Sequence, residues 1–225
     1  MPDLKQIANS PRLSYNEGME KMGLPLQKPE EKYTCADYLT WPDEERWELL
    51  EGTAYSMSPG PNTAHQRLCG ELFYQFKSFL QDKSCEVFLS PFDVYLPAGG
   101  ETDFNRMDTV VQPDLSVICD PVKIIEKGCL GAPDLIVEIL SPSTSKKDLS
   151  EKFRLYEKHG VREYWVVDPG NRFVQIFHLI TEGKNRGRYD AGELIPPAGR
   201  YEKNTIAASR VLEGFRLDVV EIFKD

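Results

Sequence analysis

The chain has 225 residues, of which 40% are hydrophobic and 28% charged, so it can bury a sizeable core and wholesale disorder is not expected. Its formal net charge of −9 argues against a protein that coats nucleic acid non-specifically, because neutralising phosphates needs clustered Lys and Arg. No apolar run reaches the roughly 20 residues of a membrane span, and the N-terminus lacks a basic segment followed by an apolar stretch. A cytoplasmic protein without membrane contact is therefore expected.

The cysteines are odd in number and widely spaced, and none forms a CxxC pair. A zinc knuckle or a redox dithiol is therefore not expected. We predict free, buried thiols in a reducing compartment. The five residues are Cys35, Cys69, Cys85, Cys119 and Cys129.

The N-terminal region is predicted to contain an extension and two short helices. Residues 1–31 carry scattered Pro and Gly without a sustained period, and we predict an N-terminal extension there. A helix is expected to begin after Thr34 as its N-cap, and a second from Pro42, with acids in its first turn. These acids are Asp43, Glu44 and Glu45.

A hairpin and a long helix follow. Residues 48–57 are typical of a hairpin with Gly52 near its turn, and a Pro- and Gly-containing break over residues 58–62 ends it. Residues 64–82 have apolar side chains at helical spacing and predict a helix with one buried stripe.

Strands dominate the middle of the chain. Pro113 interrupts one of them and indicates an edge or a bulge, whereas the nearly all-apolar segment 135–140 is typical of a strand buried on both faces. We predict strands over residues 85–90, 92–96, 110–118, 135–140, 163–168 and 173–179.

One more helix and a final element complete the prediction. The helix is expected over residues 147–159, because Gly160 fits a left-handed C-cap position. Residues 215–223 indicate a terminal strand or short helix. The pattern predicts a single α/β domain over residues 32–225 with a mixed β-sheet.

Two acids, Asp114 and Glu138, interrupt otherwise apolar strands. A charge there is costly unless it is paired or binds a cation. If the two strands are neighbours, both carboxylates can meet at one end of the sheet, where hard oxygen ligands suit Mg²⁺ or Mn²⁺. The alternative is a salt bridge to a Lys or Arg of the following helix, and spacing alone leaves both open.

Lys152 is the cation expected nearby. Asp148, Lys152 and Tyr156 lie four residues apart and share one helix face. The preceding loop is short enough to bring that face over the strand of Glu138, where a lysine could activate water or stabilise a phosphate's developing charge. An exposed helix lysine is the alternative.

Glu48 and His65 are weaker candidates. Glu48 could add a carboxylate to a metal site, or it could be a solvated acid at a strand end. His65 at a helix start is expected to make an ordinary hydrogen bond, and no triad is predicted. The sequence has no GxSxG, P-loop, HExxH or GxGxxG motif in a fitting context.

An ordered set of motifs carries a family resemblance over about residues 33–179. The chain resembles the Uma family of restriction endonucleases, a branch of the PD-(D/E)XK nuclease superfamily. The motifs are ELLEG at 48–52, Pro59, His65, QPDL at 112–115, PDLIVEILSPST at 133–144, Asp148, Lys152 and Tyr156, and GVREYWVVDP at 160–169.

The resemblance implies a restriction-endonuclease-like mixed β-sheet flanked by helices, in one nuclease-like domain over residues 32–225. Asp114 would be the superfamily aspartate, Glu138 the acid of (D/E)-x-K, and Glu48 an acid from the N-terminal part. Asp114 and Glu138 would hold Mg²⁺ (or Mn²⁺), and the substrate would be DNA, cleaved at its phosphodiester bonds.

The chain departs from this pattern at Leu140, which occupies the lysine position of (D/E)-x-K. Lys152 of the following helix is the candidate replacement, and Lys146 and Lys147 are less well placed. A non-catalytic binding or interaction module that keeps the fold is the alternative function. A Lys152 amine more than roughly 6 Å from both Asp114 and Glu138 would favour that alternative.

A homodimer is also expected, because symmetric dimers are the commonest assembly of soluble proteins. Exposed apolar residues of the C-terminal tail, Ile222 and Phe223, are the candidate contacts.

Overall fold

The computed structural model describes residues 32–42, 45–57, 62–141, 145–196 and 205–224. Several predicted features lie outside these ranges. They are the extension over residues 1–31, Asp43 and Glu44 of the expected second helix, the break at residues 58–61 with Pro59, and residues 142–144 of the PDLIVEILSPST motif.

The fold begins with a capped helical turn and a hairpin, as predicted. Thr34 caps helix α1, Cys35–Tyr38, by accepting a hydrogen bond from a main-chain amide of the first turn. Strands β1, Trp47–Leu50, and β2, Thr53–Ser56, pair antiparallel. Gly52 between them has a φ of 79°, a left-handed conformation that glycine adopts without steric cost.

The long helix α2, Thr63–Leu80, matches the helix predicted over residues 64–82. Asn62 caps it by accepting a hydrogen bond from the His65 amide. Its buried stripe packs on one face of a sheet, as the helical spacing of its apolar residues predicts. The apolar members of the stripe are Leu68, Leu72, Phe76 and Leu80.

Most strands of the described residues form two mixed six-stranded sheets, where the sequence predicts one. The first has the order β2-β1-β5-β4-β8-β7, and the second has the order β12-β11-β10-β9-β6-β3. The first adds β4 (Val94–Tyr95), β5 (Val110–Val111), β7 (Ile124–Ile125) and β8 (Gly128–Leu130) to the hairpin. The second contains β3 (Glu86–Leu89), β6 (Leu115–Ile118), β9 (Leu135–Ile139), β10 (Glu163–Asp168), β11 (Phe173–His178) and β12 (Glu193–Ile195).

Two of the chain's crossings between the sheets lie at prolines. The strand predicted over residues 110–118 is divided at Pro113, so that β5 belongs to the first sheet and β6 to the second. Pro91, which follows a cis peptide bond, similarly separates β3 from β4. The Ser90 amide donates to the Asp114 carbonyl oxygen at 3.1 Å and ties the two crossings together. Pro113 therefore marks a change of sheet rather than an edge or a bulge within one.

Strands β9 and β10 are parallel neighbours buried on both faces, as predicted for residues 135–140. Val137 and Ile139 face the core that contains α2, and Ile136 and Leu140 face the opposite core. Glu138 has the same parity as Ile136, so it faces away from α2.

The helix after β9 lies on that opposite face. It runs as α3, Ser145–Lys147, a widened π-turn over Asp148–Lys152, and α4, Phe153–His159. Its end at Gly160, with a φ of 81°, confirms the predicted left-handed cap.

The C-terminal segment contains both a strand and a short helix. A two-stranded sheet pairs β13, Ile206–Ala208, with β14, Arg216–Asp218, and α5, Val219–Ile222, follows. Ile222 and Phe223 are only 5% and 8% exposed and belong to the α2 core. Their expected exposure is therefore wrong, and they give no support to a dimer. Within the described ranges, no helix combines the length and apolarity needed to cross a bilayer.

Two of the cysteines form a disulfide, against the prediction of free thiols. Cys85 and Cys119 flank β3 and β6, whose antiparallel register places Glu86 opposite Ile118 and brings the two sulfurs together. Sequence spacing does not reveal this pairing because the residues are 34 positions apart. The thiols of Cys35, Cys69 and Cys129 are free, and Cys69 is only partly buried.

Candidate active site

Asp114 and Glu138 lie on neighbouring strands. Strands β6 and β9 are antiparallel with Leu115 opposite Val137, so Asp114 and Glu138 lie beside each other at the same end of this pair. Asp114 Oδ2 accepts a hydrogen bond of 2.7 Å from the Ile139 amide. The structure therefore places both acids at the point where the chain passes between the two sheets.

The Lys152 amine lies between buried carboxylates. Its Nζ atom is 2.8 Å from Glu138 Oε1, 2.8 Å from Glu48 Oε1 and 3.7 Å from Asp148 Oδ1. Lys152 is 4% exposed, which excludes the exposed-lysine alternative. The salt bridge from the following helix to Glu138 is therefore present. Only an amine beyond roughly 6 Å from both Asp114 and Glu138 would have favoured a non-catalytic module, and Lys152 is much closer to Glu138 than that.

Glu48 is buried within the same cluster. It is 2% exposed on β1, so the solvated strand-end interpretation is wrong. Its carboxylate accepts hydrogen bonds from Lys147 Nζ at 2.6 Å and from the Gln112 amide at 3.1 Å. The hairpin that carries Glu48 therefore contributes an acid to the cluster from the other sheet.

Lys147 also reaches the cluster, contrary to its expected poor placement. In an ideal α-helix, residues five apart differ in direction by about 140°, so Lys147 and Lys152 would point to different sides. The π-turn over Asp148–Lys152 widens the helix, and residues five apart then lie near one face. Both amines consequently converge on Glu48.

Tyr156 completes the predicted helix face. Its hydroxyl donates to Glu138 Oε1 at 2.7 Å, the same oxygen that Lys152 contacts. Asp148, Lys152 and Tyr156 therefore face the strand of Glu138 together, as their spacing indicates. Two donors from one helix fix the orientation of the Glu138 side chain.

His65 contacts Asp114, a partner that the sequence does not indicate. The imidazole Nε2 is 3.2 Å from Asp114 Oδ2, and the residue is buried at the start of α2. Burial lowers the pKa of His65, but the hydrogen bond and charge of Asp114, with contributions from the Ile139 backbone and Asp148, together outweigh it, so the net shift is upward. The signal available in the sequence was the position of His65 among the ordered motifs.

Burial and charge shift the pKa values of the cluster strongly. Burial raises the pKa of Glu48, but the ammonium groups of Lys147 and Lys152 outweigh it and lower that pKa to about 2. Burial lowers the pKa of Lys152, whereas Glu138, Glu48 and Asp148 raise it well above its usual value. Lys152 is therefore a charged ammonium group at neutral pH.

Glu138 behaves in the opposite way to Glu48. Burial raises its pKa, Lys152 opposes the rise, and the surrounding carboxylates add to it, so that the net shift is upward. Carboxyl groups also outnumber the lysine amines around Glu138. The carboxyl groups are Glu48, Asp114, Glu138 and Asp148, against the amines of Lys147 and Lys152.

A polar network that the sequence pattern does not indicate holds Gln112 beside Glu48. The Gln112 side-chain amide donates to Asp93 at 2.8 Å and to the Tyr38 hydroxyl at 3.2 Å, and its oxygen accepts from Arg46. These contacts fix the backbone amide that Glu48 accepts. The signal in the sequence was Gln112 in the QPDL motif, but its partners are distant in the chain.

Comparisons with known proteins agree with this fold. Residues 35–219 match the model of the Uma2 family, described as "Putative restriction endonuclease". The crystal structure of a "putative nuclease belonging to DUF820" from Anabaena variabilis has a TM-score of 0.64 and 21% sequence identity, and the match covers 85% of this chain and 97% of that one.

Curated relatives come from Synechocystis sp. "Uncharacterized protein slr1290" is 28% identical over 158 residues, which cover 69% of this chain and 78% of the relative. "Uncharacterized protein sll1609" is 27% identical over 154 residues, which cover 66% of this chain and 82% of the relative. These relatives extend the sequence similarity without assigning an activity.

Proposed function

Because this chain belongs to the Uma2 family of restriction-endonuclease-like proteins, we propose that it is a metal-dependent endonuclease that hydrolyses phosphodiester bonds in DNA. The observation that carries the proposal is the position of the Lys152 amine, 2.8 Å from Glu138 on the strand beside Asp114. It supplies the cation that Leu140 cannot supply from the usual position in (D/E)-x-K.

Asp114 and Glu138 are the residues proposed to hold a divalent cation, Mg²⁺ or Mn²⁺. Their carboxylate oxygens are the hard ligands that these ions prefer, and the excess of negative charge around Glu138 favours a bound cation. The donor set therefore fits the ion. When bound, such an ion polarises a phosphate and lowers the pKa of an attacking water.

Lys152 is proposed to act as a fixed positive charge. Its raised pKa keeps it protonated, so it cannot accept a proton from water as a general base. An ammonium group held by Glu138 and Glu48 can instead orient a water molecule and stabilise the negative charge that develops on the phosphate. Glu48 contributes by positioning Lys152 from the opposite sheet.

The proposal is tested with purified full-length protein on supercoiled, linear and single-stranded DNA, with Mg²⁺ or Mn²⁺ and with a chelator. We expect metal-dependent cleavage of at least one DNA form. Glu138→Gln removes a proposed metal-holding carboxylate and is expected to lower the cleavage rate by at least about a hundredfold. Calorimetric titration should show weaker binding of Mn²⁺ to the same variant.

Glu163→Gln is the matched control, because Glu163 is also buried and lies on β10, the parallel neighbour of β9. It should retain metal binding and cleavage per folded molecule. The proposal fails if no DNA form is cut with either metal while Asp114→Ala/Glu138→Ala binds metal as the unaltered chain does. In that case a binding module with a nuclease fold becomes the better description.

Three further features belong to the same proposal. We infer that residues 32–225 act as one nuclease-like domain, with residues 1–31 as an extension, and that the chain forms a homodimer. Limited proteolysis should release a fragment that begins near residue 32, and light scattering should give twice the mass of the chain. If the chain is a monomer that cleaves DNA, the prediction of a homodimer is wrong, but the assignment of the site residues is unaffected.

A further inference from the structure

A second set of potential metal ligands surrounds Asp114. A nitrogen of His65, the sulfur of Cys69 and a carboxylate oxygen of Asp114 all lie within 4.8 Å of one another. We propose that these three residues form a binding site for a transition-metal ion of borderline softness, Zn²⁺ above all. The site shares Asp114 with the proposed nuclease centre, but its binding of metal does not depend on cleavage.

The local structure aims these ligands at one point. His65 and Cys69 are four residues apart on α2 and therefore share a helix face. That face is turned toward the start of β6, because Cys69 Sγ contacts the Asp114 carbonyl oxygen at 4.0 Å and His65 Nε2 contacts the Asp114 carboxylate. A helix and a strand end thus hold the three ligands in place.

The two ring nitrogens of His65 have different surroundings. Among the residues that the structure describes, His65 Nδ1 has no hydrogen-bond partner although it is shielded from solvent. Buried imidazole nitrogens normally have a partner, whether a protein group, a water or a metal. Nε2, beside the Asp114 carboxylate, is therefore the nitrogen that the geometry assigns to the metal, and Nδ1 is left to donate to a water, as the second ring nitrogen of a metal-bound histidine usually does.

The distances are close to those of a tetrahedral zinc site. Zinc bonds of about 2.0 Å to nitrogen and oxygen place those two atoms roughly 3.3 Å apart, and His65 Nε2 is 3.2 Å from Asp114 Oδ2. A zinc–sulfur bond of about 2.3 Å requires sulfur edges of roughly 3.6 Å. All three ligand atoms lie within 4.8 Å of one another, so a shift of Cys69 by at most about an ångström brings its sulfur into that range.

The ligand types determine which metal is preferred. A nitrogen, a sulfur and an oxygen ligand suit Zn²⁺ or Co²⁺, whereas Mg²⁺ prefers oxygen ligands alone. Three protein ligands leave one tetrahedral position open for water. The pair Asp114 and Glu138 and the set His65, Cys69 and Asp114 should therefore differ in metal preference although they share a residue.

Cobalt is the probe for this site, because Co²⁺ bound by a thiolate gives a charge-transfer absorption that oxygen and nitrogen ligands do not produce. The full chain is stripped of metal with a chelator and titrated with Co²⁺. We expect this absorption to saturate at one Co²⁺ per chain and to disappear when Zn²⁺ is added. Cys69→Ser should abolish it, and His65→Ala should weaken the apparent Co²⁺ affinity by about 10-fold or more.

Two variants serve as controls. Cys129→Ser removes another free thiol, one whose sulfur contacts the Gly131 carbonyl, and should leave the absorption unchanged. Glu138→Gln should lower cleavage by at least about a hundredfold but keep the cobalt absorption, so that failure of this site and failure of the nuclease proposal remain distinguishable. Thermal unfolding with and without Zn²⁺ reports on folding, and the Zn²⁺-dependent rise in melting temperature should be lost in Cys69→Ser.

Either of two results would overturn the proposal. One is the absence of any thiolate-to-cobalt absorption in the unaltered chain. The other is an absorption of equal strength in Cys69→Ser. If Cys69→Ser does not fold, His65→Ala decides the question, because an unchanged cobalt affinity in that variant is incompatible with a site built on His65.

Discussion

Two buried glutamates on neighbouring parallel strands have opposite surroundings. Glu138 on β9 contacts Lys152 and Tyr156 and is surrounded by other carboxylates. Glu163 on β10 accepts hydrogen bonds from Trp165 Nε1 at 2.6 Å and from the main-chain amides of residues 210 and 211 at 2.8 and 3.1 Å. The His178 imidazole lies 3.6 Å from Glu163.

These different surroundings indicate a structural role for Glu163 and a candidate functional role for Glu138. Glu163 anchors the segment before β14 to the sheet, because main-chain donors of residues 210 and 211 satisfy its charge. Burial raises the pKa of Glu138, and the neighbouring carboxylates add to this rise, despite the salt bridge to Lys152. Burial of an acid is thus insufficient evidence of function, and an uncompensated local charge is the more informative property.

The largest effect is expected from removing the cation of the cluster. Lys152→Met keeps much of the side-chain volume but leaves Glu138 and Glu48 without their shared ammonium group. Breaking a buried ion pair costs about 3–5 kcal/mol of the free energy of unfolding. Loss of a charge-stabilising donor should lower the DNA cleavage rate by roughly 10²–10³-fold. Urea denaturation and the cleavage assay measure the two effects.

The matched control for Lys152 is Lys158, which lies further along the same helix. Its ion pair with Glu51 is about half exposed on both sides, with side-chain exposures of 56% and 59%. Exposed pairs of this kind contribute about 0–1 kcal/mol, so Lys158→Met should have little effect on unfolding. Equal losses in the free energy of unfolding of the two variants would contradict a larger contribution of the buried cluster to stability.

A smaller effect on stability alone is expected at Glu163. In Glu163→Gln, an amide NH₂ group replaces one of the two carboxylate oxygens. Because NH₂ is a donor, it cannot accept the hydrogen bonds that this oxygen accepts in the unaltered chain. The loss of buried hydrogen bonds should cost about 1–3 kcal/mol of the free energy of unfolding. Metal-dependent cleavage per folded molecule should stay within twofold of the unaltered chain. A hundredfold loss of cleavage in a folded Glu163→Gln protein would remove the distinction between the two glutamates.

Local sequence patterns predicted the elements better than their arrangement. The cap at Thr34, the helix stop at Gly160 and the doubly buried strand at residues 135–140 all depend on neighbouring residues, and the structure confirms them. The division into two sheets depends on where the chain crosses between them at Pro91 and Pro113. Periodicity cannot reveal such a crossing, because each strand pattern is the same in either sheet.

The candidate site shows the same limit. Lys152 could be placed near Glu138 because the connecting loop is short and the helix begins directly after the strand. Lys147 could not, because its direction depends on a π-turn that no local propensity indicates. The sequence left Glu48 open between a metal-site carboxylate and a solvated strand-end acid, because its partners, Lys147 and Lys152, lie about a hundred positions later in the chain.

The smallest effect is expected at Tyr156, and it tests how strongly the helix orients Glu138. Tyr156→Phe removes the hydroxyl that donates to Glu138 Oε1 at 2.7 Å but leaves Lys152 bound to the same oxygen. One lost hydrogen bond should cost about 0.5–1.5 kcal/mol in urea denaturation. Cleavage should fall by less than about tenfold, since such a loss corresponds to at most a factor of roughly 10 in rate. If Tyr156→Phe instead lowers cleavage as much as Lys152→Met does, the hydroxyl has a direct part in the reaction, and orientation of Glu138 by two donors is not its main role.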